Sequence, residues 1–274
     1  MTNILIALVV LLVIVSLVQL TRVSELLAEL KNEDVNEVTD SDNKTQGALY
    51  LIVGMGFIVF VIWQIFEWNH LLLPEAASVH GAKIDLLMQF TMGMILVVFF
   101  ILTPMLFYFA YRYRGNKDNT AYFFAHDNKL ELIWTIIPTI VLTGVIIYGL
   151  KTWDQVMNVD TSDAKVIEVY SEQFKWTARS SGDDNQLGNS NFKLVTSENA
   201  LGVDMEDGHS LDDKLLREVH LVVGQPVVLK FRSRDVIHSA FLPHFRVQMN
   251  CVPGLITQFA FTPTKTTKQM RQEE

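Results

Sequence analysis

A single cysteine, Cys251, stands in 274 residues. That excludes an intrachain disulfide framework, and any site within these residues that needs two thiolates. Charge is scarce too: Asp, Glu, Lys and Arg make up 19% of the chain against 50% hydrophobic residues. A soluble domain usually carries about a quarter charged residues. His-rich and Met-rich tracts are also missing, which weighs against a metal-delivery protein.

What stands in place of charge is a set of long apolar runs. No charged side chain occurs in Met1 to Thr21, Thr45 to Phe66, Leu86 to Tyr111 or Leu132 to Leu150. Each approaches or exceeds the ~20 residues that cross the hydrocarbon core as a helix. None alternates polar and apolar as a half-buried strand does. Four membrane helices are predicted. The first run lacks a basic leading segment and a small-residue cleavage site, so it is read as a retained helix rather than a signal peptide. Pro104 and Pro138 inside the third and fourth runs are tolerable where neighbouring helices re-satisfy the freed carbonyls.

Basic residues in short loops set the orientation. Arg112, Arg114, Lys117 and Lys129 between the third and fourth runs place that loop inside. Lys83 is the only strong base between Glu67 and Asp85, which places that loop outside. Alternation then puts residues 22–44, with Arg22, Lys31 and Lys44, inside. The chain after Lys151 lies outside: a periplasmic domain on a bacterial inner membrane.

From Ala164 the texture becomes β-rich. KVIEVY (165–170), HLVVGQPVVLKF (220–231) and LITQFAFTP (255–263) are dense in Val, Ile and aromatics, with Gly224-Gln225-Pro226 as a turn. Residues 180–214 read as a long surface excursion rich in Gly, Asn, Asp and Ser. The expected class is α+β: membrane helices followed by an antiparallel β-sandwich or barrel. Residues 152–274 carry 17 acidic and 13 basic side chains, which excludes a nucleic-acid surface and favours a basic partner.

Several motifs in order are similar to subunit II of haem-copper cytochrome c oxidases: HDNKLELIWTIIPT opening the last helix, then SEQFKWTA, then SRDVIHSAFLPHFRVQMNCVPG. The resemblance runs from about Ala77 to Pro263. It implies three parts: residues 1–76 as an extension with two helices, 77–151 as the family's helical hairpin (helices at about 86–111 and 132–150), and 152–274 as a cupredoxin-like domain. In that family the outer domain carries a dinuclear copper centre, takes electrons from cytochrome c or a c-type haem domain of a neighbouring complex, and passes them to haem in subunit I. Oxygen reduction and proton pumping belong to the complex.

The resemblance assigns His238, in Asp235-Val236-Ile237-His238-Ser239, as a copper ligand. Thiolate and imidazole suit copper chemically. The other ligands belong to a Cys-x-x-x-Cys-x-x-x-His-x-x-Met segment that does not occur before the closing TPTKTTKQMRQEE. The expectation is that the polypeptide continues beyond Glu274. The competing readings are a copper-free subunit II, as in quinol oxidases, or a structural membrane anchor whose β domain only docks a partner. Cys251 stands where relatives have alanine and reads as a buried small apolar residue; His244 matches no ligand.

Other positions follow from the same resemblance. Phe174 and Trp176 match an aromatic pair that conducts electrons below the docking surface, with Phe174 where the family usually has tryptophan. Asp235 is a candidate for docking the donor. Glu131 marks the mouth of a proton pathway into subunit I, and without that role it is an acid favourably placed at a helix start. Asn250 replaces the family's usual aspartate.

Overall fold

The four apolar runs fold as four helices, each long and apolar enough to cross a membrane: α1 (Thr2–Lys31), α2 (Asp40–Trp68), α3 (Val79–Arg112) and α4 (Asn128–Met157). The computed structural model describes residues 2–31 and 38–273, so part of the predicted inner loop at 22–44 lies outside the described residues. Each helix outlasts its uncharged run. A charged residue ends the apolar stretch but leaves backbone hydrogen bonding intact, and Glu, Lys, Leu and Ala are good helix formers. Pro104 and Pro138 both lie inside continuous helices.

The chain divides into two units. Met1–Gln64 with Val98–Ala125 form the first. There α2 opens with a reciprocal cap: the Asp42 carboxylate accepts the Thr39 N–H (3.0 Å) while Thr39 Oγ1 accepts the Asp42 N–H (3.2 Å). Helices α2 and α3 meet at Gly54, where a Cβ would fall 2.2 Å from Cγ of Phe107. Only glycine permits that approach. Phe57 and Phe99 then pack edge to face, 6.1 Å between centroids.

Ile65–Val97 with His126–Glu274 form the second unit. Asp127 caps α4, its carboxylate accepting the N–H groups of Lys129 (2.9 Å) and Leu130 (3.0 Å). Seven strands follow: β1 (Lys165–Glu172), β2 (Lys175–Ser180), β3 (Lys214–Leu216), β4 (Val227–Ser233), β5 (His238–Leu242), β6 (Val247–Cys251) and β7 (Thr257–Phe261). Five of them make one sheet in the order β3-β2-β1-β4-β7, and β5 and β6 make a second.

The β domain departs from expectation in three respects. The large sheet is mixed rather than antiparallel, because β1 and β4 run parallel from Lys165↔Val227 to Ser171↔Ser233. The 220–231 run is a strand only from Val227, since Gly224, at φ 83°, turns the chain and its N–H is donated to the Pro263 carbonyl. The two sheets are not joined into a closed barrel among the described residues.

The alternation of β1 and β4 decides where the core sits. Ile167, Val227, Leu229 and Phe231 face Phe259 and Phe261 of β7 and Ala240, Val247 and Cys251 of the small sheet, with Val156 from the last turn of α4. Arg246 ties this domain to the start of α3. Its guanidinium grips Asp85 bidentately (2.8 and 3.0 Å) and also donates to the Pro74 and Pro243 carbonyls.

Candidate functional site

At one end of the outer domain the β1–β2 hairpin turns over Gln173-Phe174, between the paired Glu172 and Lys175. A two-residue turn leaves its side chains without neighbours, and Phe174 is 98% exposed. The hairpin is held by Asp235 from the β4–β5 loop. One Asp235 oxygen accepts the Gln173 N–H (2.8 Å); the other accepts the Val236 N–H (2.8 Å) and meets His238 Nε2 (2.7 Å). These bonds, that from His238 first and that from Gln173 next, pull the Asp235 carboxyl down to about 2. Trp176 stands edge-on to the His238 ring, 5.9 Å between centroids. Arg234 reinforces the corner, its N–H donated to the Ser171 carbonyl (2.9 Å) and its guanidinium to Glu172 (2.6 Å).

His238 therefore links Asp235 with Trp176, while Phe174 stands exposed at the tip of the same hairpin. Glu131 is not among them. It lies in the first turn of α4, 3.7 Å from His126 Nδ1, and the 21 residues to Thr152 span about 30 Å of helix. Arg234 also lines an open cavity of about 720 Å³, with Tyr170, Phe192, Arg232, Leu255 and Ile256.

A second polar cluster escaped the sequence reading. On the sheet face opposite the core, Arg179 donates to Glu168 (3.0 Å), Asp213 (2.8 Å) and the Gly188 carbonyl (3.0 Å). Arg232 donates to Glu168 (2.9 Å) and Ser190 (2.5 Å), and stacks over Tyr170 at 4.9 Å. Glu168, Arg179 and Asp213 have almost no exposed side-chain surface. Burial pushes the Asp213 carboxyl up, although the Gly188 N–H and the Arg179 charge pull it down. Its Oδ1 and the Ser210 hydroxyl find no partner among the described residues. The one available signal was an acid, Glu168, in the middle of KVIEVY.

The expected dinuclear copper centre is overturned. Among the described residues no group of three or more His, Cys, Asp or Glu could hold a metal ion. His238 pairs directly across the β5–β6 ladder with Cys251, but two residues are not the set such a centre needs. Cys251 is wholly buried in the apolar core, and burial pushes its thiol up despite hydrogen bonding with Ser171 and Ala240. Metal ligation takes the thiolate, which that environment disfavours. The His238 Nε2 is already engaged by Asp235. The residues present do not fit the group.

Known proteins point to one family. The family described as cytochrome C oxidase subunit II, transmembrane domain, matches residues 63–152. The alternative cytochrome c oxidase subunit 2 of Bradyrhizobium diazoefficiens is 28% identical over 220 residues, covering 80% of this chain and 77% of that protein. A cytochrome c oxidase subunit 2 of Synechocystis is 23% identical, over 74% of this chain and 67% of that one. Among solved structures, the periplasmic domain of subunit II of cytochrome oxidase (CoxB) of Bradyrhizobium japonicum is matched at 22% identity over 41% of this chain and 70% of that one, with a TM-score of only 0.25.

Proposed function

Because the chain belongs to the cytochrome c oxidase subunit II-like family, we propose that it is a membrane-anchored, copper-free subunit of a respiratory haem-copper oxidase complex, of the kind quinol oxidases carry. Its helices hold it beside a subunit I, and its outer β domain docks a redox partner. The observation that carries this reading is the donor set: one buried thiol, and an imidazole already bound to a carboxylate.

The basic loop after α3 lies on the inner side and the β domain on the outer, so that the domain is periplasmic in a bacterium. Its two sheets are read as a cupredoxin-type sandwich serving as a docking platform. Phe174 and Trp176 offer apolar contact area to the partner, Asp235 fixes the hairpin that presents them, and His238 buttresses Trp176. Glu131, at the inner start of α4, collects protons for subunit I; an ionisable side chain at a membrane helix end suits that task.

The test is metal analysis of the purified complex, in the parent and in His238→Ala. The expected result is the same copper content and near-infrared spectrum in both, with weaker binding of the redox partner in the variant. A dinuclear copper complement in the parent that is lost in His238→Ala would overturn the reading.

A further inference from the structure

The stretch that follows α3 exposes more aromatic surface than any segment meant for water should. Tyr122, Phe123 and Phe124 are consecutive and 85%, 89% and 58% exposed. The rings of Tyr122 and Phe124 lie 6.0 Å apart, inclined by 31°, so the two form one apolar face. Shortly before them come three bases. Arg112, the last residue of α3, lies over the Tyr113 ring at 5.6 Å; Arg114 lies over the Tyr111 ring at 5.0 Å and donates to the Tyr111 carbonyl. Lys117 donates its backbone N–H to Asp40 (3.1 Å) and is exposed. None of the three makes an ion pair among the described residues, and Asp118 is the only acid from Arg112 to Ala125.

We propose that residues 112–125 form an interfacial anchor for an anionic lipid leaflet. Tyr122, Phe123 and Phe124 seat in the headgroup layer, and Arg112, Arg114 and Lys117 meet the lipid phosphates. The segment leaves a helix of membrane-crossing length, so it emerges at the depth where aromatic belts sit. Juxtamembrane bases attract anionic headgroups over about a Debye length. Cations bound over ring faces keep their charge while shielding the rings, which suits a boundary that is wet on one side and apolar on the other. The inference rests on the membrane-crossing helices alone and stands or falls separately from the copper-free reading.

The test places a nitroxide at Phe123→Cys in the full chain, reconstituted in nanodiscs of phosphatidylcholine with and without phosphatidylglycerol. Native Cys251 is fully buried and stays unlabelled under native conditions, and Phe123 is exposed enough that its replacement leaves the fold intact. The expected label collides with oxygen but is shielded from a water-soluble nickel chelate. That shielding should increase several-fold with phosphatidylglycerol and be lost when Arg112, Arg114 and Lys117 are all changed to Gln. A label open to nickel in both lipids would overturn the proposal. So would a label shielded from both reagents, which would place a protein surface there instead, or one indifferent to phosphatidylglycerol.

Discussion

Two clusters of charged side chains in the outer domain are treated in opposite ways. Under the excursion, Glu168, Arg179 and Asp213 are sealed from water and bonded to one another and to backbone. At the hairpin end, Asp235 and His238 form a pair beside exposed aromatics and stay in reach of solvent. The first arrangement is structural, since a partner could not touch it without unfolding the cover. The second adds little to stability but fixes the shape of a surface. A cluster of ionisable groups is thus a functional candidate only where something can reach it.

The sealed network offers the largest effect. Arg179→Ala would strip Asp213 of the guanidinium it pairs with and leave Glu168 to Arg232 alone. Breaking a buried ion pair from one side costs about 3–5 kcal/mol, so the outer domain should melt well below the parent in thermal unfolding of the detergent-solubilised chain. A loss under about 1 kcal/mol, the range of exposed pairs, would mean that water enters the network and that the contrast with the hairpin end is false.

At the hairpin end the effect is smaller and depends on acid. The folded Asp235 carboxyl lies near 2, below its ordinary 3.8. An acid with a depressed folded value stabilises above the unfolded value and loses that contribution as pH falls through the folded one. The Gln173 amide should therefore be protected from hydrogen exchange at pH 4 and lose protection as pH approaches 2, after correction for intrinsic rates. Asp235→Asn should flatten the profile. Protection that persists unchanged through pH 2 would detach Asp235 from the hairpin.

The helices were readable because a membrane span is a local property: about twenty residues without charge suffice, wherever the rest of the chain goes. The hairpin-end neighbours were readable one by one through the family resemblance, but not their contacts. The parallel pairing of β1 with β4 was hidden, since the partners are separated by the whole excursion and local alternation does not specify direction. The network was hidden for the same reason: Arg179 and Asp213 lie 34 residues apart. The copper expectation failed differently. A motif placed His238 in register but could not supply ligands around it, and the thiol opposite turned inward to the core.

The smallest effect lies in the excursion itself and separates its rim from the network it covers. His209 Nδ1 lies 2.6 Å from Asp184, and that hydrogen bond, more than the surrounding acids, raises the imidazole above its usual 6.5. A histidine raised in the folded state contributes fully below its unfolded value and loses the contribution as pH rises through its folded one. Raising the pH past neutrality should therefore loosen the rim, while the buried Arg179 ion pairs hold. Hydrogen exchange can separate the two. The His209 N–H, donated to Asp207, should gain exchange relative to its intrinsic rate between pH 6 and 9. The amide of Gly188, donated to Asp213, should not. In His209→Gln the pH-dependent part should vanish, because the amide side chain keeps a hydrogen-bond donor but cannot titrate. Equal loosening at both amides would show that rim and network open as one unit. Rim protection that falls toward acid instead would reverse the sign and remove His209 as its cause.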